Sequence, residues 1–114
     1  MTDRSELTTV GHKTAELMDV LEQLAELLDS DGAHSWAIWM RKARAMLPDS
    51  VDDGIAYLRS AYGGMGSFND LVLGQRSHNG GFSWKPGYRE LNEKFDTLRY
   101  QAAQLADDIR RSRR

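Results

Sequence analysis

Apolar side chains recur at steps of three and four residues through most of the chain. Val10, Leu17, Leu21, Leu24 and Leu28 share one side of a helix, with Met18 and Ala25 beside them and Asp19, Glu22, Glu26 and Asp29 opposite. That arrangement predicts an amphipathic helix over 10–29 with an acidic back. Asp31-Gly32 breaks it, and Trp36, Trp39, Met40, Ala43, Met46 and Leu47 resume the period until Pro48 stops it. The second helix therefore starts near Ser35, with His34 at its entrance as a cap or stacked on Trp36. Val51, Ile55, Leu58 and Tyr62 carry a third helix, opened by Ser50 and Asp53 as a capping-box pair and ended by Gly63-Gly64.

Gly63-Gly64-Met65-Gly66 reads as a backbone corner, and Ser67 with Asp70 forms a second capping pair ahead of Leu71-Val72-Leu73. A short fourth helix and a turn into a brief strand both fit. From Gly74 to Gly87 the period disappears, giving a long loop with four glycines. Within it, His78-Asn79-Gly80-Gly81 has hairpin-turn composition, and Phe82 and Trp84 alternate beside it. Tyr88, Leu91, Phe95, Leu98, Ala102, Leu105 and Ile109 then alternate steps of three and four, which predicts a final helix to about residue 110. The ends, residues 1–6 and 112–114, are expected to fray. The expected fold is all-α: one domain over 1–114, a small bundle of about four main helices with a glycine-rich corner and one long loop.

Composition agrees with helix: Ala and Leu number 24 against seven Val and Ile. Leu, Ile, Val and Phe together make only 23 of 114 residues, so Met, Trp and Tyr must carry part of the burial. Cysteine is absent, which excludes disulfides, thiolate nucleophiles and Cys-ligated metals. No apolar run reaches membrane-spanning length and the first residues have no signal-peptide core, so a soluble cytoplasmic protein is expected.

The net charge of −2 conceals an asymmetry, with eight acids and two bases in residues 1–32 and a basic excess beyond. Arg110, Arg111, Arg113 and Arg114 supply part of that excess, and their expected role is to complement the dipole of the last helix. Nucleic-acid binding would need a more continuous basic surface and a pI well above 5.9. The acidic back of the first helix costs helix stability through like-charge neighbours. It is either a solvated face or a landing surface for a basic partner. Glu16, Asp19, Glu22, Glu26 and Asp29 are its candidate residues, and Tyr100, on the polar side of the last helix, is another.

No catalytic constellation, metal site or cofactor motif emerges. His12 with Glu16 is the only His–carboxylate pair at helical spacing, and no third ligand lies nearby in sequence. Asp52-Asp53 and Asp107-Asp108 are adjacent residues that diverge on a helix, and solvated charge is their expected role. The stretch Gly63, Gly64, Met65, Gly66 and Ser67 has the composition of a phosphate-cradling loop, but no Lys follows it and Asn69 stands where a dinucleotide fingerprint wants a small residue. A structural corner, with Met65 and Phe68 plugging the core and Asn69 and Asp70 bonding nearby backbone, is the simpler purpose.

At His34-Ser35-Trp36-Ala37-Ile38-Trp39-Met40, at Gly54-Ile55, and at Ala61-Tyr62-Gly63-Gly64-Met65-Gly66-Ser67-Phe68-Asn69-Asp70-Leu71-Val72-Leu73, the chain resembles a small bacterial family of unknown function. More loosely, that family is similar in size and organisation to immunity proteins that neutralise bacterial toxins. The resemblance implies that the corner matters to the family, for folding or for binding. The expected function is a non-catalytic protein-binding module, most concretely an immunity protein or antitoxin that occludes a basic toxin domain. Its surface would be the acidic back and the 74–87 loop, with Trp84 as anchor. The alternatives are an anion- or nucleotide-binding site at 63–69 serving a sensor or enzyme, and a homo-oligomeric scaffold built on the final helix.

Overall fold

A computed structural model describes residues 4–63, 66–78 and 80–113. Four helices make up most of it: α1 (Arg4–Ser30), α2 (His34–Met46), α3 (Val51–Arg59) and α4 (Tyr88–Ser112). Single 3-10 turns at Ser60–Tyr62 and Phe68–Asp70 follow α3, and a hairpin of β1 (Gln75–His78) and β2 (Gly81–Trp84) precedes α4. The helix α1 begins about six residues earlier than its apolar period, because Gly11 costs only about 1 kcal/mol inside a helix and nothing before it breaks the backbone.

The core lies where α1 meets α2 on one side and α4 on the other. Leu17, Leu21, Leu24 and Leu28 of α1, Met40 and Ala43 of α2, and Phe95, Ala102 and Ile109 of α4 are fully buried. The apolar seam of α4 is therefore consumed inside one chain: five of its seven positions are buried, and Tyr88 and Leu91 are half-buried. Its three-four spacing needs no second copy to explain it. Ser50 caps α3 by accepting the Asp53 N–H at 3.2 Å, as its spacing predicts. A Cβ on Gly54 would lie 2.7 Å from Leu47 Cδ2, so glycine lets α3 close onto the end of α2.

Aromatic rings take up the share of the core that Leu and Ile leave open. Phe68, fully buried, meets Trp36 at 5.1 Å and the edges of Tyr62 and Phe95 at 5.4 Å each. Trp39 stacks on Tyr57 at 5.1 Å and donates its indole N–H to the Tyr57 carbonyl at 3.1 Å.

Three expectations about local structure are corrected. The 74–87 segment is not an irregular loop: Gln75 pairs with Trp84, Arg76 with Ser83, Ser77 with Phe82 and His78 with Gly81 in an antiparallel hairpin. Strands of four residues are too short for a long period to emerge, and the signal was carried by the turn composition at 78–81 and the alternation of Phe82 and Trp84. His34 neither caps α2 nor stacks on Trp36, since its Nδ1 lies 2.9 Å from an Asp29 carboxylate oxygen and Ala33 holds the N-cap position. Gly63 has φ −103° and open space where a Cβ would stand, so glycine is not required there. Gly66, at φ +74°, is where the described part of the corner needs one. Gly64 and Met65 lie outside the described residues, as do Asn79 of the hairpin turn, Arg114 and residues 1–3.

Candidate functional site

The segment from Gly66 to Gly74 is irregular, and α4 holds it by side-chain hydrogen bonds in place of a sheet. Asn92 grips Leu73 at both backbone groups, accepting its N–H and donating to its carbonyl at 2.9 Å each, and also donates to the Tyr88 carbonyl at 2.8 Å. Two turns on, Arg99 Nη1 donates to the carbonyls of Phe68 at 2.7 Å and Leu71 at 3.0 Å, while Nη2 pairs with Asp96. Its guanidinium lies 4.5 Å from the Phe95 ring centroid, and its side chain is 15% exposed. The Tyr62 hydroxyl closes the far end on the Arg99 carbonyl at 2.8 Å. Burial pushes that hydroxyl well above the ordinary phenol range, so it stays a donor at physiological pH.

The corner is satisfied from within. Asp70 accepts the Gly66 N–H at 2.8 Å, Ser67 Oγ accepts the Asn69 N–H at 3.3 Å, and Asn69 Nδ2 donates to the Tyr62 carbonyl at 2.9 Å. The amide of Gly66 thus already faces a carboxylate where a phosphate cradle would offer it to an anion. Ser67 and Asp70 close one 3-10 turn, after which residues 71–74 run without regular structure, so neither the short fourth helix nor the brief strand expected at Leu71–Leu73 forms, and the first strand starts at Gln75.

The hairpin is latched at its base. Asp31, in the α1–α2 connection, accepts the Gly74 N–H at 3.1 Å on both oxygens and the Lys85 ammonium at 2.8 Å. The Lys85 N–H in turn reaches the Gly74 carbonyl at 2.7 Å. Gly74 sits at φ +84°, and a Cβ there would come 2.7 Å from Tyr88 Cβ. Beyond this latch the hairpin carries aromatic rings outward: Phe82 meets Trp84 edge-on at 5.1 Å, and Trp84 stacks on Tyr88 at 4.7 Å. Phe82 is 59% exposed and Trp84 40%.

Between hairpin, Leu71–Val72 and α4 lies an open groove of about 420 Å³. Two further hollows of about 300 and 380 Å³ continue it along α4, and all three share Asn69 as a lining residue. Arg89, Asn92, Glu93, Asp96 and Arg99 form the α4 side of the first. Exposed Tyr100 lines the second hollow.

The acidic back of α1 is only partly free. Arg41 of α2 pairs with Asp29 and lies 3.7 Å from Glu22. The His34 hydrogen bond, then Arg41, hold the Asp29 carboxyl below the usual carboxylate range. Glu16, Asp19 and Glu26 remain exposed, with Gln101 3.4 Å from Glu16 and Gln23 donating to Asp19 at 3.2 Å. Sequence spacing could not reveal Arg41 as the neighbour of Glu22 and Asp29, because α2 approaches through tertiary packing. Three of the four paired acids meet cations: Asp52 holds Arg113 at 2.7 Å, Asp107 holds Arg110 and Arg111, and Asp108 lies 3.7 Å from Lys13, while Asp53 is exposed. The arginines near the end of α4 therefore make specific ion pairs beyond any interaction with its dipole. His12 is exposed, and among the described residues no three His, Asp or Glu side chains gather as a metal site. Among the described residues no helix is long and apolar enough to cross a membrane.

Sequence reasoning missed Asp31, Asn92 and Arg99. The available signal was polar residues on otherwise regular helical patterns, Asn92 next to apolar Leu91 and Arg99 next to Leu98.

Residues 29–80 match a family described as a domain of unknown function (DUF6966). The match runs from the end of α1 through the first strand of the hairpin, covers just under half of the chain and contains the motifs between His34 and Leu73. No curated protein and no solved structure matches the chain.

Proposed function

We infer that this protein is a non-catalytic protein-binding module whose contact surface is the aromatic hairpin and the groove beneath it. The observation that carries the reading is a hairpin built without a core. None of the described strand residues is buried, yet Phe82 and Trp84 point large apolar surface at solvent. A two-stranded hairpin is marginal by itself. This one is latched by Asp31 and by Trp84 on Tyr88, so the fold holds in place an element that returns little burial. Aromatic side chains on a rigid support are the residues that dominate protein interfaces.

The most concrete form of this reading is a cytoplasmic immunity protein or antitoxin that occludes a basic toxin domain. It is supported by the loose likeness in size and organisation to immunity proteins and by the exposed carboxylates Glu16, Asp19 and Glu26, which would steer a cationic partner. The test is an affinity pull-down from lysate of the source cell, read by mass spectrometry, with Phe82→Ala/Trp84→Ala and Asp19→Lys/Glu26→Lys variants alongside. The expected result is a basic toxin domain retained by the unmodified protein and lost from the hairpin variant. Recovery of the same proteins by the unmodified chain and a folded hairpin variant would refute the assignment of the surface.

A further inference from the structure

The hairpin leaves both of its edges unpaired. Lys85 donates its N–H to the Gly74 carbonyl at 2.7 Å, and that bond fixes the parity of the ladder. Arg76 with Ser83 and His78 with Gly81 are then the hydrogen-bonded pairs, so Gln75, Ser77, Phe82 and Trp84 turn their backbone groups outward. Among the described residues nothing bonds to those outward groups, and all four residues are exposed. Side chains alternate along a strand, which puts Phe82 and Trp84 on one face, in ring contact at 5.1 Å, and Ser83 with Arg76 on the other.

We propose that the outer edge of β2 pairs with β2 of a second copy of this chain, antiparallel about a two-fold axis at Ser83. In that register the strand is complementary to itself. Phe82 faces the partner's Trp84 and Trp84 faces the partner's Phe82 as hydrogen-bonded pairs, so four backbone bonds form and four rings gather on one face. At the axis Ser83 meets the partner's Ser83 with Cα atoms about 4.5 Å apart, a close approach that a small uncharged side chain accepts. The outer edge of β1 fails the same test. A two-fold axis there sets Arg76 against the partner's Arg76 in the close pair, where like charges repel. Pairing β1 of one copy with β2 of the next is head-to-tail and has no two-fold closure. Of these arrangements, the β2 pairing alone satisfies the outward backbone groups, covers Phe82 and Trp84 and brings no charges into conflict. One short strand from each copy makes a small interface, so the pairing is reversible, and a partner protein that takes the hairpin competes with it. The inference goes beyond the binding-module reading and does not depend on it.

Disulfide trapping tests the register, since the chain has no cysteine of its own. Ser83→Cys sets two thiols across the axis at a spacing a disulfide spans, whereas Arg76→Cys holds them three strand spacings, about 14 Å, apart. Ser83→Cys should therefore oxidise to a covalent dimer at least about tenfold faster than Arg76→Cys. Sedimentation equilibrium of the full chain should show a reversible rise from 12.9 kDa toward twice that mass with concentration. Ser83→Lys, at an exposed position and checked for fold by circular dichroism, should weaken the dimer at least about tenfold, and an equimolar mixture of Ser83→Lys with Ser83→Glu should restore it. A mass of 12.9 kDa up to millimolar concentration, a dimer indifferent to Ser83→Lys, a mixture that does not recover, or Arg76→Cys trapped as fast as Ser83→Cys would each overturn the proposal. A toxin domain captured by a chain that stays monomeric would remove this inference and leave the binding-module reading standing.

Discussion

Replacing Arg99 by Met should unfasten the irregular segment from α4 while leaving the helices in place. Methionine keeps an apolar stem against Phe95 and removes the donors, so the loss reports the hydrogen bonds to Phe68 and Leu71 with little cavity cost. Each charge-assisted bond to a carbonyl contributes about 1.5–3 kcal/mol net, and the contact with the Phe95 ring about 0.5–2 kcal/mol. The carbonyls border an open groove where water can replace part of the guanidinium, which favours the low end and a total near 3 kcal/mol. With a urea dependence of about 2 kcal/mol per molar for a domain of this size, the midpoint should fall by about 1.5 M. Asp96→Ala supplies the control. Its carboxylate is largely exposed, so breaking the same ion pair from that side should cost about 0.5 kcal/mol or less. Urea titrations followed by tryptophan fluorescence measure both, since Trp36 packs on Phe68. A midpoint for Arg99→Met within about 0.3 M of the parent, or equal losses for the two variants, would refute the view that Arg99 acts through the backbone it holds.

Three further outcomes follow from the described contacts. Asp31→Asn removes the charge that holds Lys85 yet keeps an acceptor for Gly74, so amide exchange at Gly74 and Lys85 should accelerate while far-UV circular dichroism is unchanged; exchange at the parent rate would show that Asp31 is not the latch. Gly74→Ala should cost more than about 2 kcal/mol, from its left-handed backbone and the Tyr88 contact, whereas Gly63→Ala should be neutral or stabilising by up to about 1 kcal/mol; thermal melts showing the reverse order would overturn the assignment of which glycine the fold requires. Asp29 titrates below its unfolded value, so its pairing contributes at pH above about 4 and is lost as pH falls through the lowered folded value; carbon-detected NMR titration should place its midpoint below the reference carboxylate and move it upward in His34→Ala, and an unmoved midpoint would contradict the hydrogen bond to His34.

The helices were legible because their cause is local. Leu17 to Leu28 on one side of α1 and Phe95 to Ile109 along α4 bury as their three-four spacing requires, and Ser50 caps α3 from its position alone. Phe68 as a core plug and Asn69 and Asp70 as backbone partners were also readable, since those bonds close within seven residues. The hairpin was only half legible. Its turn composition was visible, but its strands gain their footing from Asp31, more than forty residues away in sequence.

By itself, then, the amino-acid sequence determined the helical class, the order of the main helices and most of the residues that fill the core, because periodicity and capping act over one or two turns. Tertiary structure alone decided that Arg41 draws Glu22 and Asp29 out of the acidic stripe, that Arg99 and Asn92 hold an irregular strip against α4, and that Trp84, Val72 and Glu93 share one groove. Each of those pairings joins segments whose separation along the chain says nothing of their approach in space. What brings them together is the packing of α1, α2 and α4 around a shared apolar core, and the polar contacts form wherever that packing leaves a charge or a backbone group in need of a partner.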